Sequence, residues 1–228
     1  SGKMLYLQTY TLNASSIAGA SAANYIISNN SSSSVKMNVP NASTVVFHVG
    51  NAGYNPVSIT NNTGSADDFS VNLVDEVYSM GTSGSPVATN RVQRTWNISK
   101  TNPNAGSGID FVFSWNESSE VVGVISSPHL FHFDGSTWGK QTGTTNTTSS
   151  SLSYTGYTGT FSPFSVMEGS STLPVSWLSF TAQKQNKAVV LNWSTASEQN
   201  TEKFTAQHST NGRNWKAIGT IAAAGNSN

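Results

Sequence analysis

The chain reads as an all-β protein, a large β-sandwich followed by a second, incomplete sandwich-like unit. Two observations predict this. Apolar and polar residues alternate with period two along a succession of short runs rich in Val, Ile, Phe, Tyr, Trp and Thr. Between the runs stand clusters of Gly, Asn, Ser, Asp and Pro, and no capped apolar stripe at helical spacing exceeds ten residues.

In chain order the first runs are 4–12, 24–29, 35–39, 44–49, 56–60, 69–74, 91–99, 109–115 and 129–133. The later ones are 152–159, 161–168, 177–183, 188–195, 203–209 and 215–222. Each reads as a strand because β-branched and aromatic side chains pack well on a pleated, half-buried surface. Turn chemistry at 30–34, 61–64, 81–86, 102–108, Asp134-Gly135 and Asn211-Gly212 separates them at sandwich-like spacing. Gly, Ser and Pro collect again at 168–174, which places a boundary there. Residues 1–170 then form a β-sandwich domain and 171–228 a second unit. The second is too short for the ~100 residues of a seven-strand sandwich, so it reads as the first half of one.

Charge is scarce and balanced: 10% of the 228 residues are charged, 11 basic against 11 acidic. Ser, Thr and Asn, 87 residues together, supply the surface polarity instead. Zero net charge with no basic cluster argues against nucleic acid and against an anionic membrane surface as partners. No apolar run approaches the ~20 residues that span a bilayer, so no membrane insertion is expected. The opening residues lack the pattern of a signal peptide, as in a mature or excised segment. The absence of cysteine removes disulfides, thiolate zinc sites and thiol nucleophiles. Such a composition suits an extracellular or cell-surface setting.

Several residues invite a chemical reading, and each has a plainer one. His48, Asp67 or Asp68, and Ser83 follow the order of a serine-protease triad, but so close in sequence that the 81–86 segment reads as a turn. His129 and His132 stand three apart in a strand, so they face opposite sides and share no metal. Glu117 and Glu120 resemble a glycosidase carboxylate pair, yet their Ser-rich surroundings read as a solvated hairpin loop. Asp67, Asp68, Asp75 and Glu76 form the densest acidic region. Asp67 and Asp68 are the metal candidates, with calcium the one cofactor left open, although no Ca-loop motif is present. Trp96, Trp115 and Trp193 sit inside strong runs and read as core. Trp138, in the 134–140 turn, reads as the exposed ring and thus the ligand-binding candidate for carbohydrate. Arg94 and Trp96, two apart, share a face, where the guanidinium packs on an aromatic ring or pairs with a carboxylate.

Residues 173–228 carry Leu173-Pro174-Val175, Leu178-Ser179-Phe180-Thr181-Ala182, Leu191-Asn192-Trp193-Ser194-Thr195-Ala196-Ser197-Glu198 and Ser209-x-x-Gly212 with Trp215 following. This stretch resembles the fibronectin type III/immunoglobulin-like module that precedes the sorting domain in secreted proteins of the Bacteroidetes type IX secretion pathway. Upstream, Gly19-Ala20-Ser21, Asn24-Tyr25-Ile26, Phe47-His48-Val49-Gly50, Tyr54-Asn55-Pro56-Val57 and Val92-x-Arg94-Thr95-Trp96-x-Ile98 form a second pattern. With Ser114-Trp115, Asp134-Gly135-Ser136-Thr137-Trp138 and Ser162-Pro163-Phe164, it resembles the β-rich adhesin-like domain found before that module. Residues 5–21 resemble the last rung of a β-solenoid-like stalk. His48 stands where relatives carry Pro, so the strand is expected to run on there.

The resemblance implies export to the cell surface or medium and no catalytic residues. The expectation is therefore a non-enzymatic structural or adhesin segment, acting as a rigid spacer or display module. The alternative is a carbohydrate-binding module docking a larger protein onto extracellular polysaccharide. Its incomplete second module is expected to take other protein segments as partners by strand pairing.

Overall fold

Residues that alternate in the sequence alternate between core and solvent in space. In Ser34–Val39, for example, Val35, Met37 and Val39 are buried while Lys36 and Asn38 point outward. The structure, a computed structural model, describes residues 2–29, 31–161, 163–169, 176–186 and 188–227. It is 56% strand and 2% helix, an all-β sandwich with no closed barrel. The chain divides into two compact units, Ser1–Gly169 and Ser170–Asn228. Residues 170–175, which hold most of the expected linker and the Leu173-Pro174-Val175 motif, lie outside the described residues, as does Ser162.

The first unit is built on two facing sheets. The larger runs Trp138–Lys140, Pro128–Phe133, Pro163–Glu168, Arg91–Lys100, Asp67–Asp75, Ser34–Val39, Thr11–Asn13, with Val121–Val122 paired beside Arg91–Lys100. The smaller runs Thr144–Thr147, Ser151–Tyr157, Ile109–Ser114, Val57–Asn61, Ser43–Phe47, antiparallel throughout. Their inner faces interdigitate through aromatic rings: Trp96 meets Phe113 edge-on at 5.1 Å, and Phe164 lies 5.4 Å from Phe111. A second, smaller core of Val77, Phe131, Phe133, Trp138 and Met167 gathers the alternate side chains of the large sheet.

A third element is parallel. Leu5–Tyr6 pairs with Ile26–Ile27, which pairs with Val49–Gly50, and Thr11–Asn13 runs parallel to Ser34–Val39. The partners Leu5↔Ile26, Ile26↔Val49 and Leu12↔Val35 lie 21, 23 and 23 residues apart. The chain thus coils back on itself at a nearly constant period through residues 5–50, and this coil shares strands with the sandwich. The expected single strand at 4–12 is therefore two short strands. His48 likewise interrupts the expected run at 44–49: Ser43–Phe47 belongs to the five-stranded sheet and Val49–Gly50 to the parallel one. The chain changes sheets at His48, whose carbonyl accepts from Ile26 N (3.0 Å) and whose Nδ1 meets Tyr54 Oη (2.5 Å).

The second unit comprises Ser176–Gln185, Ala188–His208 and Lys216–Ser227. The first pairs with the start of the long strand and the last with its end, giving two hairpins. Trp193 and Phe204, eleven positions apart, would lie about 36 Å apart on a straight strand. Their rings are 6.0 Å apart, so the long strand folds back and stacks one hairpin on the other. No described side chain of this unit is buried. Trp193, expected in the core, is half-buried, and Phe180 and Trp215 remain 61% and 59% exposed.

Candidate functional site

Trp138 is not an exposed ring. It is 3% exposed, packs on Phe133 at 5.5 Å and donates its indole N–H to Tyr78 O (2.7 Å). The Asp134 turn that carries it is a tight hairpin whose strand Trp138–Lys140 pairs back onto Pro128–Phe133, turning the ring into the second core. The sugar-stacking role expected of Trp138 is therefore corrected.

Asp67 and Asp68 diverge, as neighbours on a strand must. Asp67 points inward, where Lys100 Nζ lies 2.8 Å away and the Asn102 backbone N–H donates at 3.1 Å. Burial works to raise the Asp67 carboxyl, but Lys100 and the Asn102 amide outweigh it and hold it below the ordinary carboxylate range. Asp68 points outward to Asn38 (2.8 Å) and Lys36 (3.1 Å). The two carboxylates do not converge on one ion, and the cation beside Asp67 is an ammonium of this chain. Among the described residues no group of three His, Asp or Glu side chains converges. The His48 ring is engaged by Tyr54 and Asp67 by Lys100 and Asn102, so the two are not joined as the base and acid of a triad, and the Ser83 carbonyl closes its turn by accepting from Met80 N (3.0 Å).

The carboxylates that sequence reasoning set aside are the ones that organise a site. Glu120, expected in a solvated loop, is 1% exposed. Asn116 caps a single helical turn, Glu117–Glu120, by accepting from Ser118 N (3.1 Å). That turn swings Glu120 inward. Its Oε1 accepts from Arg94 Nη2 (2.8 Å), and its Oε2 accepts from Asn55 Nδ2 (2.5 Å) and Asn116 N (2.7 Å). Arg94 also donates to Asn55 Oδ1 (2.9 Å) and lies 3.2 Å from Asp75, whose other oxygen accepts from Asn51. Burial raises the Asp75 carboxyl, against the pull of Arg94 and Asn51. Gly53 is required beside this cluster, because a Cβ there would collide with the Glu120 carboxylate.

Glu168 does the same for a second loop. Its Oε2 accepts from Ser126 N (2.5 Å) and Ser127 N (3.0 Å), and Asn90 Nδ2 donates to Val124 O (2.8 Å). Gly123, at φ +74°, lies so close to the Asn90 side chain that a Cβ would clash with it. Between the loop tied by Glu168 and the helical turn tied by Glu120 lies a cleft of about 350 Å³. Trp115 closes it on the inside, and the hydroxyl-bearing turn at Thr148 and Ser149 borders it. Trp115 itself is held by its backbone N–H to Ser150 O (3.0 Å). Among the described residues, the only ionic side chain on the cleft is Glu117.

Of the sequence-derived candidates, the structure keeps Arg94 in a carboxylate pair and places Trp96 and Trp115 inside. It brings none of Trp138, Asp67 and Asp68 to the cleft. A signal for Glu120 was present in the sequence: Asn116 followed by Ser118 and an acidic residue is a helix-start pattern. No protein-family model, curated protein or solved structure matches this chain.

Proposed function

We propose that the chain is a non-enzymatic structural segment of a cell-surface or secreted protein, a rigid spacer that carries other modules. The observation that supports this most is the parallel coil at residues 5–36. Its first turn lays Leu5–Tyr6 and Thr11–Asn13 at the free edges of two sheets, in the register of a solenoid rung. Met4, Leu5, Tyr6 and Tyr10 are exposed there. Free parallel edges with exposed apolar side chains take another rung, and stacking of rungs gives a stiff, quasi-linear body. The sandwich that follows ends the coil with a dense aromatic core, and a hydroxyl- and amide-rich skin keeps it hydrated with little charge.

The test duplicates residues 5–27 ahead of residue 5 and follows amide hydrogen exchange. A second rung should form, so that the duplicated strands and the original Leu5–Tyr6 and Thr11–Asn13 gain protection together. A duplicated segment that exchanges freely and is trimmed by protease at once would sink the stalk reading.

A further inference from the structure

The second unit contains a cleft of about 570 Å³ whose two walls differ in kind. One wall is a sheet face. Phe180 and Trp193 are cross-strand partners, and Leu191 stands two positions from Trp193, so the three side chains project together from the first hairpin. The other wall is residues 203–207, all five of which border the cleft. Side chains alternate along a strand, so five consecutive residues cannot all turn to one side. Were the cleft over the face of this hairpin, Ile221 and Gly219, opposite Phe204 and Ala206, would border it, and they do not. The wall is therefore the long edge of the strand, backbone included, on the side away from the ladder to Lys216–Ser227. An apolar floor beside a strand edge fits a further strand. Its backbone pairs along the edge and every second side chain drops onto the floor.

Charge sets what that strand carries. Residues 170–228 hold five basic side chains against two acidic ones, while residues 1–169 hold six against nine. Among the described residues no carboxylate borders the cleft, and Lys203 does. Lys203 lies 3.9 Å from Glu202 with both side chains more than half exposed, a pair too long and too wet to neutralise it. Phe204 turns inward to Trp193, the rings 6.0 Å apart, so Lys203 and Thr205 alternate with it and point outward. Carboxylates on the outer face of an added strand would lie beside Lys203 as cross-strand partners. A second copy of the unit would instead set like charge against like.

We infer that the second unit binds an extended acidic segment of another protein, one that alternates apolar and carboxylate side chains and pairs by its backbone along residues 203–207. The apolar side chains cover Phe180, Leu191 and Trp193, and the carboxylates face outward beside Lys203. The inference stands apart from the coil at residues 5–36, and either can fail alone.

The test titrates the full chain at low salt with short blocked peptides that alternate valine with glutamate, or valine with lysine. The readouts are the indole N–H signal of Trp193 and the exchange of the amides of residues 203–207. The glutamate peptide should move the Trp193 signal saturably and slow exchange along 203–207. The lysine peptide should bind at least about tenfold more weakly, and the gap should narrow in about 0.5 M salt. Only alternate N–H groups of an added strand face its neighbour. Of two glutamate peptides N-methylated at every second residue, in opposite phase, one should therefore lose binding and the other keep it. Lys203→Glu, a change at an exposed side chain, should weaken the glutamate peptide about threefold. The inference is overturned if no peptide moves Trp193 at millimolar concentration, or if the lysine peptide or Lys203→Glu binds as tightly as its counterpart. It is equally overturned if both N-methylated peptides bind like the parent, or if the Trp193 signal moves with the concentration of the chain alone, which would make a second copy the occupant.

Discussion

Replacing Glu120 by alanine removes one carboxylate and strands three donors. Arg94, whose side chain is 7% exposed, loses the acceptor at 2.8 Å; Asn55 Nδ2 and the Asn116 N–H lose theirs at 2.5 and 2.7 Å. Removing one partner of a buried ion pair costs about 3–5 kcal/mol, because the other charge stays buried. Arg94 keeps Asp75 at 3.2 Å and Asn55 Oδ1 at 2.9 Å, which holds the loss to the lower part of that range. For a unit of this size each kcal/mol moves Tm by about 2–4 °C, so Glu120→Ala should melt roughly 10 °C lower. Urea unfolding followed by tryptophan fluorescence gives the same quantity at constant temperature. Removing both charges, as Arg94→Met with Glu120→Leu, should recover much of the loss, since well-packed apolar side chains can replace a buried pair. A Glu120→Ala protein less than about 1 kcal/mol below the parent would refute the assignment of Glu120 as the buried anchor of this corner.

Asp67 gives a pH prediction. Its folded carboxyl titrates below the ordinary value, so the unfolded chain binds its proton more readily. The stability it contributes is fully present above about pH 4 and is lost as pH falls through the folded value. Asp67→Asn should flatten that part of the acid limb, measured as urea midpoint against pH, and an unchanged limb would show that Lys100 does not govern it. The second unit, expressed alone as residues 173–228, should give poorly dispersed amide signals or associate with rising concentration, because it buries no described side chain. A cooperative, monomeric fold would overturn this.

The strands were legible because alternation reports a half-buried sheet. Ser34–Val39 and Val57–Asn61 follow the pattern residue for residue. Thr144–Thr147 was not legible, since an exposed edge strand of Thr and Asn carries no apolar signal. Nor was the burial of Trp138: a ring beside a Gly-Ser turn looks exposed until the second core behind the sheet is known, and that core draws on residues 77 to 167. Glu120 was misjudged for the same reason. Its neighbours in sequence are serines, while its partners, Asn55 and Arg94, lie 65 and 26 positions away. The cleft at Trp115 depends on three such long-range ties, and no local window contains them.

The scarcity of charge takes on a different meaning once the ties are seen. A chain with 10% charged residues would be expected to keep them outside, where they aid solubility. Here Arg91, Arg94, Asp67, Glu120 and Glu168 are buried, and the Lys100 side chain is 3% exposed. Each holds a loop or a strand end that apolar packing does not reach: Asp67 the 100–102 turn, Glu120 the helical turn, Glu168 the 126–127 loop. A sandwich made of short strands has many such junctions, and each exposes backbone N–H groups that must find acceptors. Serine and asparagine satisfy the exposed ones locally. The buried ones need a strong acceptor from far along the chain, and a carboxylate serves two or three at once. Part of the scarce charge in this protein is therefore structural and interior. It follows that the stability of the first unit should respond to acid far more than to added salt, since a screening length of about 8 Å at physiological ionic strength does little to pairs that water does not reach.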